Sequence, residues 1–401
     1  MALGSAARWT SRVTGRGAGA MIGGLVAMTL DRSILGQLGI GRRTAIITGT
    51  NGKSTTTRMV AAALGTMGPV ATNSEGANMD AGLVAALAAD RDAGLAALEV
   101  DEMHVPHVAD AVGPAVIVLL NLSRDQLDRV GEINHIERTL RAGLSHHPQA
   151  VVVTNCDDVL MTSAAYDCAK VVWVAAGGGW AGDSVSCPRS GEVIIREGSH
   201  WRSSGTDFQR PVPQWWFDDE KIYGPNDLGL PMRLALPGVV NRGNATQAVA
   251  AAVTMGADPV AAVAAVSSVD EVAGRYRTVR IADHTARLLL AKNPAGWQEA
   301  LSMVDKTAAG VVIAVNGQVP DGEDLSWLWD VRFEHFEGTS VVAAGERGTD
   351  LAVRLGYAGV EHSLVHDTVT AIGSCPAGHV EVVANYTAFL QLQRALERHH
   401  D

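Results

Sequence analysis

Between the apolar run Ala45-Ile46-Ile47 and a helix-forming stretch from Thr56 to Leu64 lie Thr48-Gly49-Thr50-Asn51-Gly52-Lys53-Ser54-Thr55. A strand that breaks into glycines and then into a helix leaves several backbone N–H groups aimed at one spot, where the helix dipole also favours an anion. A nucleoside triphosphate is the natural occupant. Gly49, Thr50, Asn51, Gly52 and Thr55 would cradle its phosphates. Lys53 would supply a point charge for the β- and γ-phosphates, and the Ser54 hydroxyl would ligate the accompanying magnesium. The loop departs from the general phosphate-loop spacing, which asks for a glycine where Ile47 stands.

Other groups gather at matching places in the chain. Glu99 ends the apolar run Leu95 to Leu98, where a carboxylate could hold magnesium directly or through water. Asp101 and Glu102 follow it and stay open between site and solvent. Asn121 to Arg129 packs two aspartates and two arginines behind a buried run, and Asn155-Cys156-Asp157-Asp158 closes another. Arg275 stands near a presumed domain junction, where its planar fork suits a transferred phosphoryl group, with a simple salt bridge as the alternative. The acidic loop Asp321 to Asp330, with Trp327 and Trp329, is either a partner-docking surface or a loop whose tryptophans plug the local core.

The elements that must position these groups read as an α/β protein. Short β-type runs at Thr44–Thr48, Ala96–Val100, Ala115–Asn121, Ala150–Asn155 and Val171–Ala175 alternate with helical stretches. Such alternation predicts a doubly wound parallel sheet whose strand ends carry the site. From about residue 177 to 226 the chain turns to glycine, serine, tryptophan and proline, which reads as an insertion. Helical patterning returns at Asn241–Met255 and Val260–Val266. A second series of β-type runs, at Thr278–Ile281, Ala286–Ala291, Val311–Asn316, Ser340–Ala344 and Val380–Ala384, predicts a smaller α/β domain. The expected domains are therefore 1–277 and 278–401.

Bulk composition narrows the partners. The 401 residues carry 32 Lys and Arg against 43 Asp and Glu, a net charge of −11 that argues against nucleic-acid binding. The four cysteines are scattered, which fits a reducing cytoplasm and no disulfide framework. Cys187-Pro188-Arg189-Ser190 has the outline of a zinc knuckle with a ligand missing, so no structural zinc is expected. The stretch Arg12–Leu30 lacks a clear cleavage site and is not expected to be a secretory leader. No run reaches the ~18 apolar residues of a membrane span.

With Thr48–Thr57, Glu99, Asn121–Arg129, Asn155–Asp158, Asn241–Asn244 and Arg275 assembled, the chain resembles the Mur ligases, ATP-dependent enzymes of peptidoglycan precursor synthesis. It is more similar still to their MurT branch, the synthetase subunits of lipid II isoglutaminyl synthase. That likeness is carried by Gly76–Met79, Leu98–Glu102, Leu119–Arg129, Leu288–Trp297, Asp324-Leu325-Ser326-Trp327 and Ala384–Phe389. The phosphate loop opens at Thr48, which leaves no room for the domain that usually holds a UDP-linked substrate and suits a lipid-linked one. Gln126 and Val240 stand where many Mur ligases have histidines. Ser190 stands where the branch often has the second cysteine of a zinc ribbon, and Trp201–Gly205 supplies no other.

The resemblance implies a Mur-type central ATPase domain with a parallel sheet and a smaller carboxy-terminal α/β domain. It implies ATP and Mg2+, with Asn244 contacting nucleotide, Ser54 and Glu99 holding the metal, and Lys53 and Arg275 serving the phosphoryl group. The implied reaction is amidation of the D-glutamate α-carboxylate of lipid II to D-isoglutamine through an acyl phosphate. Ammonia would come from a separate glutaminase subunit, GatD, in a heterodimer. Asp324, with Asp330 as fallback, would complete that partner's Cys and His. A cytoplasmic protein is implied, with peripheral contact at the inner face of the membrane left open. Two readings compete: an amino-acid-adding ligase of the Mur or folylpolyglutamate synthetase type, and a non-catalytic ATP-binding scaffold for a glutaminase. The Asp324–Trp327 motif and the missing substrate domain speak against the first, and intact Lys53, Ser54 and Glu99 against the second.

Overall fold

The computed structural model describes residues 19–73, 76–124, 130–178, 180–270, 276–322, 324–336 and 338–398. Near residue 270 the chain divides into two compact units. The first opens with α1 (Gly19–Leu30) and α2 (Ile34–Gly39), then β1 (Arg43–Thr48), α3 (Lys53–Gly65), β2 (Val70–Thr72), α4 (Asp80–Ala89) and β3 (Leu95–Glu99). It continues with α5 (Val105–Val112), β4 (Val116–Leu119), α6 (Val130–Ser145), β5 (Val151–Asn155), α7 (Val159–Ala165) and β6 (Val171–Val174). These six strands form one sheet in the order β2-β3-β1-β4-β5-β6, every neighbouring pair parallel.

The sequence makes this sheet because its strands are short, branched and apolar on both faces, as strands under two helical layers must be. Ile46, Ile47, Leu98 and Ile117 are fully buried. Each contributes roughly 1.5–3 kcal/mol of hydrophobic stabilisation, so the strands that carry the site are also the best anchored. β1 lies between β3 and β4, and successive crossovers pass to opposite sides of it. That reversal opens a crevice beyond the carboxyl ends of the strands. Register fixes what lines it: Ile47 pairs with Glu99 and Thr48 with Leu119, so the loops after β1, β3 and β4 leave the sheet at one level.

The insertion supplies the hairpin β7 (Ile194–Glu197) and β8 (His200–Ser203), then the small antiparallel sheet of β9 (Trp216–Phe217), β10 (Lys221–Gly224) and β11 (Leu228–Pro231). The hairpin packs through a cluster of Val159, Cys187, Ile194, Trp201 and Phe208. Trp201 Nε1 donates to Cys156 O at 3.0 Å, and Arg210 Nε lies 2.6 Å from Asp157 Oδ1 with both side chains largely buried. Apolar packing and one ion pair therefore seat the hairpin on the end of β5. The unit closes with α8 (Val239–Thr254) and α9 (Pro259–Ser267).

The second unit contains β12 (Tyr276–Ile281), β13 (His284–Leu290), α10 (Pro294–Met303), β14 (Gly310–Ala314), β15 (Val341–Ala344), α11 (Gly348–Tyr357), β16 (His362–Leu364), α12 (Thr368–Ser374), β17 (Gly378–Ala384) and α13 (Tyr386–Arg398). Its sheet runs β12-β13-β17-β14-β15-β16, parallel except for the antiparallel β12–β13 pair. Two α/β units with dominant parallel sheets agree with the fold class read from sequence. Among the described residues, no helix is long and apolar enough to cross a membrane.

Candidate active site

Gly49 leaves β1 with φ +142°, a conformation that L side chains rarely adopt. A Cβ added there would lie 2.8 Å from Leu120 Cβ and 2.9 Å from Asn121 O, so the loop runs directly against the exit of β4. Hydrogen bonds then staple it down. Thr50 N donates to Asn121 O at 2.9 Å, Asn51 N to Asn121 Oδ1 at 2.9 Å, and Asn121 Nδ2 returns a bond to Asn51 O at 2.9 Å. Thr50 Oγ1 accepts from Ser123 N at 3.0 Å and donates to Ser123 O at 3.1 Å. Asn121 thus shapes the phosphate loop through its backbone, while the main chain of Ser123 holds the Thr50 hydroxyl.

Gly52 caps α3, and Thr56 N donates to Gly52 O at 2.9 Å as the helix begins. A Cβ on Gly52 would meet Asn244 Oδ1 at 2.9 Å, so Asn244, buried on α8, borders the loop. α8 is held to the sheet by Gln247 Nε2, which donates to Leu119 O at 2.9 Å. Lys53 Nζ donates to Gly49 O at 2.5 Å and lies 3.1 Å from Glu102 Oε1. Thr55 is buried in α3, and the Ser54 hydroxyl lies 3.7 Å from the Cβ position of Gly76.

Glu99 is the best-positioned carboxylate at this crevice. Asn73 fixes its backbone twice: Glu99 N donates to Asn73 Oδ1 and Asn73 Nδ2 donates to Glu99 O, both at 2.8 Å. Asn78 Nδ2 reaches Glu99 Oε1 at 3.4 Å, while Glu99 Oε2 is buried with no hydrogen-bond partner. A buried carboxylate oxygen without a donor is costly unless a cation serves it. That vacancy in the hydrogen bonding, the hard oxygen chemistry and the nearby Ser54 hydroxyl fit magnesium. Asp101 does different work, accepting from Met103 N at 3.1 Å to cap the turn after β3.

Asp158 adds a support that strand-end position alone does not reveal. Its carboxylate accepts from Leu122 N at 3.0 Å and from Met161 N at 2.8 Å, joining the β4 exit to the start of α7. Burial pushes its pKa up to about 6 against those hydrogen bonds. Asn73 and the Glu102–Lys53 pair were likewise outside the sequence reading. Asn73 offered one signal, an amide two residues after the apolar Val70-Ala71, beyond Thr72.

In the second unit the loop after β14 divides its tryptophans between the two roles. Trp327 is buried and stacks on Trp297 with ring centroids 5.4 Å apart, whereas Trp329 is 56% exposed and meets Tyr357 edge-on at 5.3 Å. The buried Arg354 organises the turn by donating to Leu328 O at 3.1 Å, Val331 O at 2.8 Å and Glu334 Oε1 at 2.8 Å. Asp321 is buried and accepts from both the backbone N–H and the hydroxyl of Thr387. Asp324 is exposed, and its carboxylate accepts from Ser326 N at 2.8 Å. That backbone bond and the Ser326 hydroxyl hold it below the usual carboxylate range, so it is an ionised acceptor facing solvent.

Lys53, Ser54, Glu99 and Asn244 thus share one crevice in the first unit, while Asp324 stands on the second. Arg275 and Gln126 lie outside the described residues, and Val240 lies in the first turn of α8. At Cys187 burial raises the thiol pKa, but the Ser190 hydroxyl and the backbone of Arg189 and Ser190 outweigh it and bring the net value below the ordinary one. Among the described residues no cluster of three or more His, Cys, Asp or Glu side chains is arranged to hold a metal.

Known proteins resemble this chain in sequence and fold. The chain is 28% identical over 416 residues to the MurT subunit of lipid II isoglutaminyl synthase (glutamine-hydrolysing) of Streptococcus pneumoniae, covering 95% of this chain and 93% of that protein. It is 26% identical over 422 residues to the subunit of the same name from Staphylococcus aureus, covering 98% and 96%. Among solved structures, a pseudomurein peptide ligase type C from Methanothermus fervidus has a TM-score of 0.69 at 17% identity, covering 90% of this chain and 79% of that one. The MurF ligase of Thermotoga maritima, solved in complex with ADP, has a TM-score of 0.63 at 16% identity, covering 94% and 83%. The MurT ligase C-terminal model matches residues 290–389 and the Mur ligase middle-domain model residues 47–252. With just over half its length matched by the middle domain alone, the chain belongs to the Mur ligase family of ATP-dependent ligases, in its MurT branch.

Proposed function

We propose that this chain is the synthetase half of a glutamine-dependent amidating enzyme that converts the D-glutamate α-carboxylate of lipid II to D-isoglutamine. A carboxylate is a poor electrophile. Transfer of the γ-phosphoryl group of ATP to one of its oxygens gives an acyl phosphate, and ammonia attacks that carbonyl carbon, loses a proton and expels inorganic phosphate. One nitrogen enters and one ATP becomes ADP.

The residues divide the work accordingly. Backbone N–H groups from Gly49 to Thr55 and the Lys53 ammonium would receive the triphosphate, and Asn244 would border the bound nucleotide. Ser54 and Glu99 would hold magnesium, which neutralises charge on the phosphates and orients the transferred group. Arg275 is assigned to phosphoryl charge on the strength of its type and sequence position. Ammonia would come from a glutaminase subunit of the GatD type, with Asp324 orienting and stabilising the partner's histidinium.

One observation carries the reading: a phosphate loop beside a buried, half-satisfied Glu99 occurs in the same chain as a MurT-type carboxy-terminal region whose loop presents an ionised, exposed Asp324. The test reconstitutes the chain with its glutaminase subunit, lipid II, ATP and glutamine. ADP and amidated lipid II should form in equal amounts. Asp324→Asn should abolish glutamine-driven amidation yet leave amidation driven by added ammonium intact. If the variant hydrolyses glutamine at the wild-type rate, Asp324 does not have this role. If ADP forms without amidation, the synthetase reading fails.

A further inference from the structure

The phosphate-loop lysine is already engaged. Lys53 Nζ lies 3.1 Å from Glu102 Oε1, and the two side chains are only 11% and 10% exposed. It also donates to Gly49 O at 2.5 Å, within the loop whose N–H groups face the expected phosphates. Glu102 opens the turn that follows β3, three residues beyond Glu99, whose Oε2 is buried and unpartnered. Two carboxylates and a single ammonium are therefore held at one strand exit.

We propose that Glu102 exchanges partners when nucleotide binds. It holds Lys53 in the free protein, and it turns to the magnesium ion, directly or through a water, once the triphosphate takes Lys53. This rests on the assignment of ATP and magnesium to the site above. If Lys53 moves to the phosphates without a metal, Glu102 and Glu99 are left as two neighbouring buried carboxylates beside an anionic ligand, which is strongly unfavourable. A divalent cation removes that penalty at both acids. Glu102 is thus a positioning residue that makes nucleotide affinity depend on magnesium, and the Lys53–Glu102 pair opposes occupancy by metal-free ATP.

The decisive measurement is calorimetric titration of the full-length chain with adenylyl imidodiphosphate, with magnesium and with excess chelator, for wild type, Glu102→Gln and Glu102→Asp. Glu102→Gln is close in shape and removes the charge. It should tighten metal-free binding at least about tenfold and shrink the gain from magnesium by a similar factor. Glu102→Asp keeps a carboxylate and should retain most of the magnesium dependence, which separates charge exchange from mere packing. Circular dichroism verifies folding of each variant. If Glu102→Gln weakens binding equally with and without magnesium, Glu102 stays on Lys53 and the exchange is refuted. The same holds if the magnesium gain is unchanged. A wild-type chain that binds no nucleotide in either condition overturns the nucleotide assignment itself, and the exchange with it.

Discussion

Replacing Gly49 by alanine separates backbone strain from contact at the start of the phosphate loop. At φ +142° an L residue is held in a sparsely populated region, at a cost on the order of 1–3 kcal/mol. The new methyl would also lie 2.8 Å from Leu120 Cβ, 2.9 Å from Asn121 O and 3.0 Å from Asn121 N. Comfortable carbon contacts begin near ~3.5 Å, and two of these three atoms are backbone, so the loop must lift rather than a side chain turn away. Overpacking of this kind adds roughly 1–3 kcal/mol. The expected total is about 2–6 kcal/mol, a large share of the ~5–15 kcal/mol that holds a typical domain folded. Gly68 supplies the control, with φ +156° and no atom within 4 Å of its Cβ position. Gly68→Ala should show the strain alone, and the difference between the variants should be ~1–3 kcal/mol. Urea unfolding followed by circular dichroism measures both. Lifting the loop also breaks the Thr50 N–Asn121 O and Asn51 N–Asn121 Oδ1 bonds, so Gly49→Ala should lose nucleotide affinity by at least about tenfold while Gly68→Ala keeps it. Equal destabilisation by the two substitutions, or wild-type nucleotide affinity in Gly49→Ala, would refute the reasoning.

Asp158 gives a pH-dependent counterpart. Because its folded pKa of about 6 exceeds its ordinary value of 3.8, its contribution to stability is fully present below the lower value and lost as pH rises through the upper one. Asp158→Asn keeps a capping side chain without the charge, so it should gain on wild type by on the order of 2 kcal/mol between pH 4 and pH 7.5. A difference in unfolding free energy that stays flat across that range contradicts the assignment. In the insertion, Trp201→Ala should cost ~3–5 kcal/mol by emptying the hairpin's apolar cluster and removing the bond to Cys156 O. A zinc-selective chelator should leave the melting temperature of the magnesium-free wild type unchanged, and a fall that added zinc reverses, and that is lost in Cys187→Ser, would reveal a metal in that hairpin.

Much of the scaffold was legible because its signals are local. The β1 run, the glycines and Lys53-Ser54 sit within a dozen residues, and the apolar runs ending at Glu99, Asn121 and Asn155 each announce a strand end. The short strands escaped notice. Three-residue β2 and β16 bury too little to leave a periodic signature, and the β7–β8 hairpin of the insertion carries mostly polar residues. What the sequence could not supply was pairing across distance. Glu102 reaches back 49 positions to Lys53, Asp158 reaches 36 to Leu122, and Asn73 reaches 26 to Glu99. Each is an ordinary polar residue whose partner is chosen by sheet order. The two tryptophans of the acidic loop make the same point. They stand two positions apart, yet one stacks in the core on Trp297 and the other faces solvent, because Arg354 binds the carbonyls of Leu328 and Val331 and turns the chain between and beyond them.

Asn73 and Asn78 have a further consequence, for how such a crevice could diversify. β2 ends at Thr72, and beyond it an amide side chain continues the pairing that main chain no longer provides, while Asn78 reaches the carboxylate from the far side. Glu99 is therefore located by two side chains from one loop and by its own strand register, and Asn73 also holds that loop, donating from Nδ2 to Ala77 O at 3.0 Å and accepting at its carbonyl from Gly76 N at 2.9 Å. Gly76, at φ +81°, and Ala77, packed against Gly82, leave that loop little freedom to be rewritten without moving Asn73 and with it the backbone of Glu99. Loop shape and charge placement are thus inherited as one trait.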